Sequence, residues 1–227
     1  MNSRIATAKI ETYSPNPLSR DFYRGDAVSV AKGLLGKVLV SLSGGERAAG
    51  IIVETEAYAG RGDAACHSYK RAAPSSAHRT NAMFMDGGHV YIYLIYGMHH
   101  CFNVVANAVD EPEAVLIRAL EPLDCLPLMA RRRGTEDIKK LCSGPGKLCN
   151  ALAITREHYG VDLCAEGNLY ITDGIEIPQE DILATPRINV DYAGEAALLP
   201  YRFVIRSSKF LSTKRFLKEA SGRENNA

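Results

Sequence analysis

The sequence lacks any apolar run long enough to cross a membrane. Its most hydrophobic stretch is interrupted by Lys32, Lys37 and Arg47, whereas a spanning helix needs roughly 20 consecutive apolar residues. The first 20 residues also lack the apolar segment of a secretory signal peptide. We therefore expect a protein that does not associate with membranes and that resides in the cytoplasm, or in the nucleus of a nucleated cell.

Close pairs of cysteines are also missing. The six cysteines contain no CxxC motif, and the nearest pair, Cys142 and Cys149, has no histidine partner at zinc-finger spacing. We therefore expect buried, reduced thiols and neither a disulfide scaffold nor a structural zinc site. The GxGxxG, HExxH and GxSxG motifs and the HxE plus PCxxC pattern of zinc deaminases are absent. The segment 143–147 resembles a phosphate loop only in part, because Leu141 and Leu148 occupy the positions of its first glycine and its Ser or Thr.

The chain carries no strong excess of charge of either sign. Its 227 residues include 27 basic and 26 acidic ones, which gives a net charge of +1, and 46% of the residues are hydrophobic. This composition is typical of a globular protein of one large or two small domains and excludes predominant disorder. Basic residues are nevertheless clustered, at Arg131–Arg133 with Lys139 and Lys140, and again in residues 201–227. On charge alone, a solvated surface is the favoured interpretation of both clusters.

The pattern of apolar residues predicts a single α+β domain. Strand patterns gather in the middle of the chain and do not alternate with helices, so we expect a central antiparallel sheet, flanking helices and a protruding β-hairpin. A long irregular segment at 60–86 interrupts the strands, and such loops are often functional. The predicted helices are 26–35, 124–133 and 146–153, and the predicted strands are 37–42, 50–56, 90–96, 99–107, 114–120 and 201–206.

Two acids and a tyrosine share one face of a predicted strand. Because side chains alternate along a strand, Glu54, Glu56 and Tyr58 project to the same side. A carboxylate there is exposed, paired or retained for chemistry. Arg118 interrupts an apolar strand, and a half-buried arginine needs an anion beside it. We therefore expect Glu56 and Arg118, on adjacent strands, to pair with each other.

The tyrosine-rich strand leads into the tip of the predicted hairpin. Tyr91 and Tyr93 share one face, and core packing is the expected fate of Tyr91. Tyr96 lies beside Gly97 at the tip, where it gains little burial, so it favours contact with a partner surface such as stacked bases. Asn103 stands among apolar residues and must find hydrogen-bond partners, and the capping of a neighbouring backbone group is the simpler of its possible roles.

Taken in order along the chain, these segments resemble a known family. They are IIVETEAY (51–58), His67 nine residues later, NAMFM (81–85), VYIYLIYGM (90–98), ALEP after Arg118, and LCSGPGKL (141–148). Together they resemble the alkyladenine, or 3-methyladenine, DNA glycosylases over about residues 18–210. The resemblance implies a monofunctional hydrolase that flips alkylated or deaminated purines out of double-stranded DNA in base excision repair.

The resemblance also implies roles for individual residues. Glu56 matches the general base that activates water, and Arg118 helps to hold that water together with the backbone carbonyl of Ile188. The remaining matches are a base pocket walled by Tyr58, His67 and Tyr93, an obstruction to the 2-amino group of guanine at Asn103, and a DNA-intercalating residue at Tyr96. It implies no metal and no cofactor.

The composition of the chain and the resemblance together set expectations for organisation, location and partners. We expect a flexible N-terminal arm at 1–20, a glycosylase domain at 21–212 and a charged C-terminal tail at 213–227. The protein is expected to act as a monomer on damaged DNA, in the bacterial cytoplasm or nucleoid or in a eukaryotic nucleus.

Two alternatives remain open from the residues alone. One is a metal-dependent hydrolase that uses Glu56 with His67, and the other is a non-catalytic nucleic-acid-binding domain built on the tyrosine strand. Metal content distinguishes the first alternative, and release of a free base distinguishes the second.

Overall fold

One antiparallel sheet organises the fold. The computed structural model describes residues 16–74 and 78–217, which form a single α+β domain around an eight-stranded sheet, as predicted. Six strands lie side by side in the order β3-β4-β5-β2-β1-β6, while β8 pairs with the second half of β2 and β7 pairs with β8. The strands are β1 (Val38–Ser41), β2 (Ala48–Tyr58), β3 (Val90–Ile95), β4 (His99–Ala106), β5 (Glu113–Asp124), β6 (Leu169–Thr172), β7 (Ile182–Thr185) and β8 (Arg202–Ile205).

Five short α-helices within residues 16–74 and 78–217 accompany the sheet. They are α1 (Arg20–Tyr23), α2 (Ala27–Gly33), α3 (Leu126–Arg133), α4 (Ile138–Leu141) and α5 (Pro145–Ala151). The Asp26 carboxylate caps α2 by accepting hydrogen bonds from the backbone N–H groups of Val28 and Ser29, both at 3.0 Å. Gly36 follows α2 with a φ of +83°, and a Cβ at this position would collide with the backbone oxygen of Ile175. None of the helices in the described ranges is long and apolar enough to cross a bilayer.

The central strand β2 carries the charged residues into the middle of the protein. It pairs with β5 along most of its length, with β1 through its first half and with β8 from Glu54 to Glu56. Thr55 donates its hydroxyl to the backbone oxygen of Ala31 in α2 at 2.9 Å. Glu54 and Glu56 therefore project to the opposite face of β2, and both are fully buried.

Some predicted boundaries are wrong. Strand β5 continues to Asp124, so the helix predicted from residue 124 begins at Leu126. Strands β6 and β7 were not predicted from the sequence. Their places in the sheet are set by pairing with β1 and β8.

The two ends of the chain lie partly outside the described residues. Residues 1–15 and 218–227 belong to the predicted arm and tail and are not described. Within the rest of the arm, the backbone N–H of Leu18 donates to the oxygen of Ile171 at 2.8 Å, and the Thr172 hydroxyl donates to the oxygen of Asn16 at 2.7 Å. This part of the predicted arm is therefore hydrogen-bonded to β6.

Candidate active site

A cleft of about 1130 Å³ gathers most of the predicted site residues. Its walls come from the end of β2, the irregular segment after it, the β3–β4 hairpin, the middle of β5 and the chain between β7 and β8. The predicted site residues that line it are Tyr58, His67, Tyr93, Tyr96, Asn103, Arg118 and Ile188. Glu56 is the remaining one, and it lies behind this wall.

Glu56 is fully buried and hydrogen-bonded to three groups that themselves line the cleft. Its Oε2 accepts from the Tyr58 hydroxyl at 2.8 Å and from Arg118 Nη1 at 3.2 Å, and its Oε1 accepts from the backbone N–H of Ile188 at 2.7 Å. The predicted pairing of Glu56 with Arg118 is thus confirmed. The carboxylate itself is not part of the cleft lining and lies behind these three groups.

Arg118 lies between two carboxylates. Its Nε donates to Glu54 Oε1 at 2.9 Å, while Nη1 reaches Glu56. Burial disfavours the charged forms of these groups, but the opposite charges outweigh it. Arg202 and Arg118 lower the pKa of Glu54, and the Glu56 and Glu54 carboxylates raise the pKa of Arg118 above its usual value. The guanidinium and the Glu54 carboxylate are therefore both ionised at neutral pH.

Aromatic side chains form the opposite part of the cleft. The His67 ring meets Tyr93 edge-on, with ring centroids 4.7 Å apart, and His67 Nδ1 is 2.9 Å from the Tyr91 hydroxyl. Tyr91 is almost fully buried, as expected. Burial raises the pKa of Tyr58, and the adjacent Glu56 adds to the shift, so Tyr58 stays protonated and its hydroxyl donates a hydrogen bond to Glu56.

Burial, with the nearby positive charge of Arg79 and with His78, lowers the pKa of His67 to about 4. The imidazole is therefore neutral at pH 7 and carries one N–H donor. If the Tyr91 hydroxyl donates to Nδ1, the N–H of the imidazole is at Nε2.

Asn103 is buried and held by the backbone. Its Nδ2 donates to the backbone oxygens of Tyr91 at 3.1 Å and Cys101 at 3.2 Å, so the capping role considered for it is confirmed. These two bonds fix the orientation of the amide in the cleft wall.

Tyr96 occupies the turn between β3 and β4. Its φ is 53° and that of Gly97 is 70°, both in the left-handed region. The Tyr96 side chain is 80% exposed and that of Met98 is 70% exposed. A left-handed, exposed tyrosine contributes little to the core, so this position is available for contact with a partner.

Several residues of the site were missed or misassigned by the sequence analysis. Arg202 was counted in the basic cluster at 201–227, but it is fully buried against Glu54 and does not contribute to a surface. Arg202 stands next to apolar residues of a strand, and the same pattern led to the prediction that Arg118 is paired with an acid. Lys147, at the start of α5, lines the cleft together with Arg132 and Arg133.

Arg187 was also missed, because nothing in the surrounding sequence marks it. It donates to both carboxylate oxygens of Asp63 and to the backbone oxygen of Ala57, and its guanidinium lies 4.9 Å from the centre of the Tyr58 ring. It therefore fixes Tyr58 and the chain leading to Ile188.

The described residues contain no group suited to metal binding and no disulfide. No three His, Cys, Asp or Glu side chains of residues 16–74 and 78–217 are grouped so that they could hold a metal ion. The six cysteines are free thiols, and burial raises the pKa of Cys66, Cys101 and Cys149, which makes them weak nucleophiles.

The low pKa of His67 predicts an acid-sensitive fold. Between pH 6.5 and 4.5 the unfolded chain binds a proton at this histidine that the folded protein does not, so stability falls as the pH falls. His67→Gln should remove this term, and the free energy of unfolding should then decline by about 2 kcal/mol less than in the wild type over that range. Urea unfolding of both proteins at the two pH values measures it, and equal declines would contradict the placement of a neutral His67.

Comparison with known proteins agrees with the geometry of the cleft. The family model described as methylpurine-DNA glycosylase matches residues 21–209. A protein from Methanocella arvoryzae named "Putative 3-methyladenine DNA glycosylase" is 46% identical over 198 residues, 87% of this chain and 96% of its own length. Proteins of the same name from Bacillus cereus (strain Q1) and Natranaerobius thermophilus are 47% and 44% identical, covering 85% and 86% of this chain and 97% and 98% of their own lengths. The chain therefore belongs to the methylpurine-DNA glycosylase family.

Proposed function

We propose that this protein is a monofunctional DNA glycosylase that removes alkylated or deaminated purines from double-stranded DNA in base excision repair. Its family membership supports the activity. The observation that carries the proposal is the Glu56 carboxylate, which is held by Arg118, Tyr58 and the Ile188 N–H behind a cleft lined with aromatic side chains.

The cleft offers the features that base flipping needs. Extrusion of a nucleotide costs a few kcal/mol, which stacking in an aromatic slot and a wedge in the duplex can offset. Tyr58, His67 and Tyr93 wall the pocket for the flipped purine, and Tyr96 fills the gap in the duplex. Cationic alkylated purines gain from the faces of such rings. Asn103, held in place by its backbone bonds, obstructs the 2-amino group of normal guanine.

The reaction is a displacement by water. Glu56 takes a proton from a water molecule that Arg118 and the backbone oxygen of Ile188 hold, and the water oxygen bonds to C1′ of the sugar as the C1′–N bond breaks. The purine leaves with the bonding electrons. A cationic alkylated base leaves as a neutral molecule, whereas a neutral base such as hypoxanthine needs a hydrogen-bond donor, and the N–H of neutral His67 is suited to that role.

The two alternatives fit the chain less well. A metal-dependent hydrolase would pair Glu56 with His67, but these side chains have other partners, Arg118, Tyr58 and the Ile188 N–H for the first and Tyr91 for the second. A binding domain without activity would not require a buried carboxylate behind its aromatic surface. Family membership favours neither alternative.

The family match also guides the proposed organisation. We place the glycosylase domain at 21–212, close to the matched residues 21–209, with an arm before it and a charged tail after it, the first residues of which are hydrogen-bonded to Arg202 of the domain. The protein acts as a monomer, without cofactor, in the compartment that holds the DNA: the bacterial cytoplasm or nucleoid, or a eukaryotic nucleus.

Glu56→Gln tests the proposed chemistry. The amide keeps the shape of the side chain but cannot accept the proton, and general bases contribute about 10²–10⁴-fold, so the single-turnover rate of base release should fall by at least about 100-fold. Free base is measured from duplexes that carry one hypoxanthine or one 3-methyladenine, with parallel binding titrations. Glu121→Gln, a glutamate of β5 that does not line the cleft, is the matched control and should behave as the wild type. Full activity of Glu56→Gln would remove Glu56 from the role of base.

The basic wall of the cleft generates a second prediction. If Lys147 contacts a DNA phosphate, Lys147→Ala should weaken binding equally for damaged and undamaged duplexes, and the slope of log Kd against log salt concentration should decrease by about 0.9. The matched control is Lys209→Ala, which removes the same charge from an exposed position that does not line the cleft. Identical salt slopes for the two variants would exclude Lys147 from the DNA contact.

A further inference from the structure

The carboxylate of Glu54 does not line the cleft, yet it accepts four hydrogen bonds beside it. Its Oε1 accepts from Arg118 Nε at 2.9 Å, from Arg202 Nε at 2.8 Å and from the Ser212 hydroxyl at 2.7 Å. Its Oε2 accepts from the Ser212 backbone N–H at 2.6 Å. Glu54 is fully buried, so these partners rather than water compensate its charge.

The segment after β8 is hydrogen-bonded to Glu54 and Arg202. Arg202 donates from Nη2 to the backbone oxygen of Thr213 at 2.9 Å and from Nη1 to that of Arg215 at 3.2 Å. The Ser212 hydroxyl is also 3.3 Å from Arg118 Nη2. Ser212 therefore contacts both Glu54 and Arg118, although it lies more than 90 residues away from Arg118 in the chain.

We propose that Glu54 and Ser212 are positioning residues for Arg118, and that the segment from Ser212 to Arg215 thereby completes the active site. This inference rests on the proposed glycosylase function. Arg118 is a planar fork whose Nε edge is fixed on Glu54 and whose Nη1 reaches Glu56. Any rotation of the Arg118 guanidinium about its contact with Glu54 moves Nη1 relative to Glu56. The position at which Arg118 holds the water then shifts as well.

Charge balance explains why two arginines are present. A single guanidinium shared by two buried carboxylates would leave one negative charge uncompensated, and that charge would draw Arg118 towards Glu54. Arg202 neutralises Glu54 from the other side, so Arg118 can serve both acids. The Ser212 hydroxyl then bridges Glu54 and Arg118, which restricts the remaining freedom of the fork.

Ser212→Ala in the full chain is the sharpest test. Glu54→Gln would leave two buried guanidinium groups with a neutral partner and is expected to destabilise the fold, so the serine carries the experiment. Alanine keeps the backbone N–H bond to Glu54 and removes only the hydroxyl. The lost hydroxyl makes hydrogen bonds to two charged groups, and such bonds stabilise a structure more than neutral ones do. The single-turnover rate of base release should therefore fall by about tenfold. The Kd for the same damaged duplex should remain within about twofold, because no pocket contact changes.

Two further variants make the result specific. Ser212→Thr restores a hydroxyl and should recover the rate to within about twofold of the wild type. Ser208→Ala removes a hydroxyl that accepts from the Phe210 N–H in the same segment and touches no residue of the site. It should keep the wild-type rate and controls for general loosening of this segment.

The outcomes separate the two proposals. A wild-type rate in Ser212→Ala, equal losses in Ser212→Ala and Ser208→Ala, or failure of Ser212→Thr to recover the rate would each overturn the positioning role while leaving the glycosylase function intact. If the wild type released no base from hypoxanthine or 3-methyladenine duplexes, the proposed function itself would be wrong.

Discussion

Four buried charges at the end of the central strand constrain much of this structure. Glu54, Glu56, Arg118 and Arg202 come from three adjacent strands and are bonded to one another within the sheet. Ions in such a place are tolerated only when they are paired and hydrogen-bonded, since removal of one partner leaves an uncompensated charge. The register of β2 against β5 and β8, and the course of the chain beyond β8, must therefore satisfy these pairs together.

In the proposed mechanism, the same constraint separates the residues that carry the chemistry from those that recognise the base. The carboxylates lie within the sheet, and the aromatic residues and the hairpin tip lie on the open side of the cleft. The groups between them are Tyr58, Arg118 and the chain at Ile188, each of which contacts Glu56 directly. In the proposed mechanism, these three groups are the contacts between a purine bound among the tyrosines and the Glu56 carboxylate. Arg187, which is paired with Asp63, packs against the ring of Tyr58.

The sequence allowed prediction of the parts whose signal is local. The alternation of Glu54, Glu56 and Tyr58, and the arginine that interrupts β5, were sufficient to predict a buried pair on adjacent strands. The strands β6 and β7 were not predicted, and their places in the sheet come from pairing with β1 and β8, which lie elsewhere in the chain. Arg202 gave the same signal as Arg118, but its neighbours in a basic segment led to a surface assignment. The contact of Ser212 with Glu54 joins residues 158 positions apart, and no pattern in the sequence reports such a contact.

The central claim is that water, and not a protein amine, displaces the damaged base. The direct measurement incubates the wild type with a duplex carrying one hypoxanthine or one 3-methyladenine, in the presence of borohydride, and analyses the free base, the strand and the protein. We predict release of free base, an intact strand that alkali then cleaves at the abasic site, and no covalent protein–DNA adduct. A borohydride-trapped adduct, or a strand cleaved without alkali, would contradict the account.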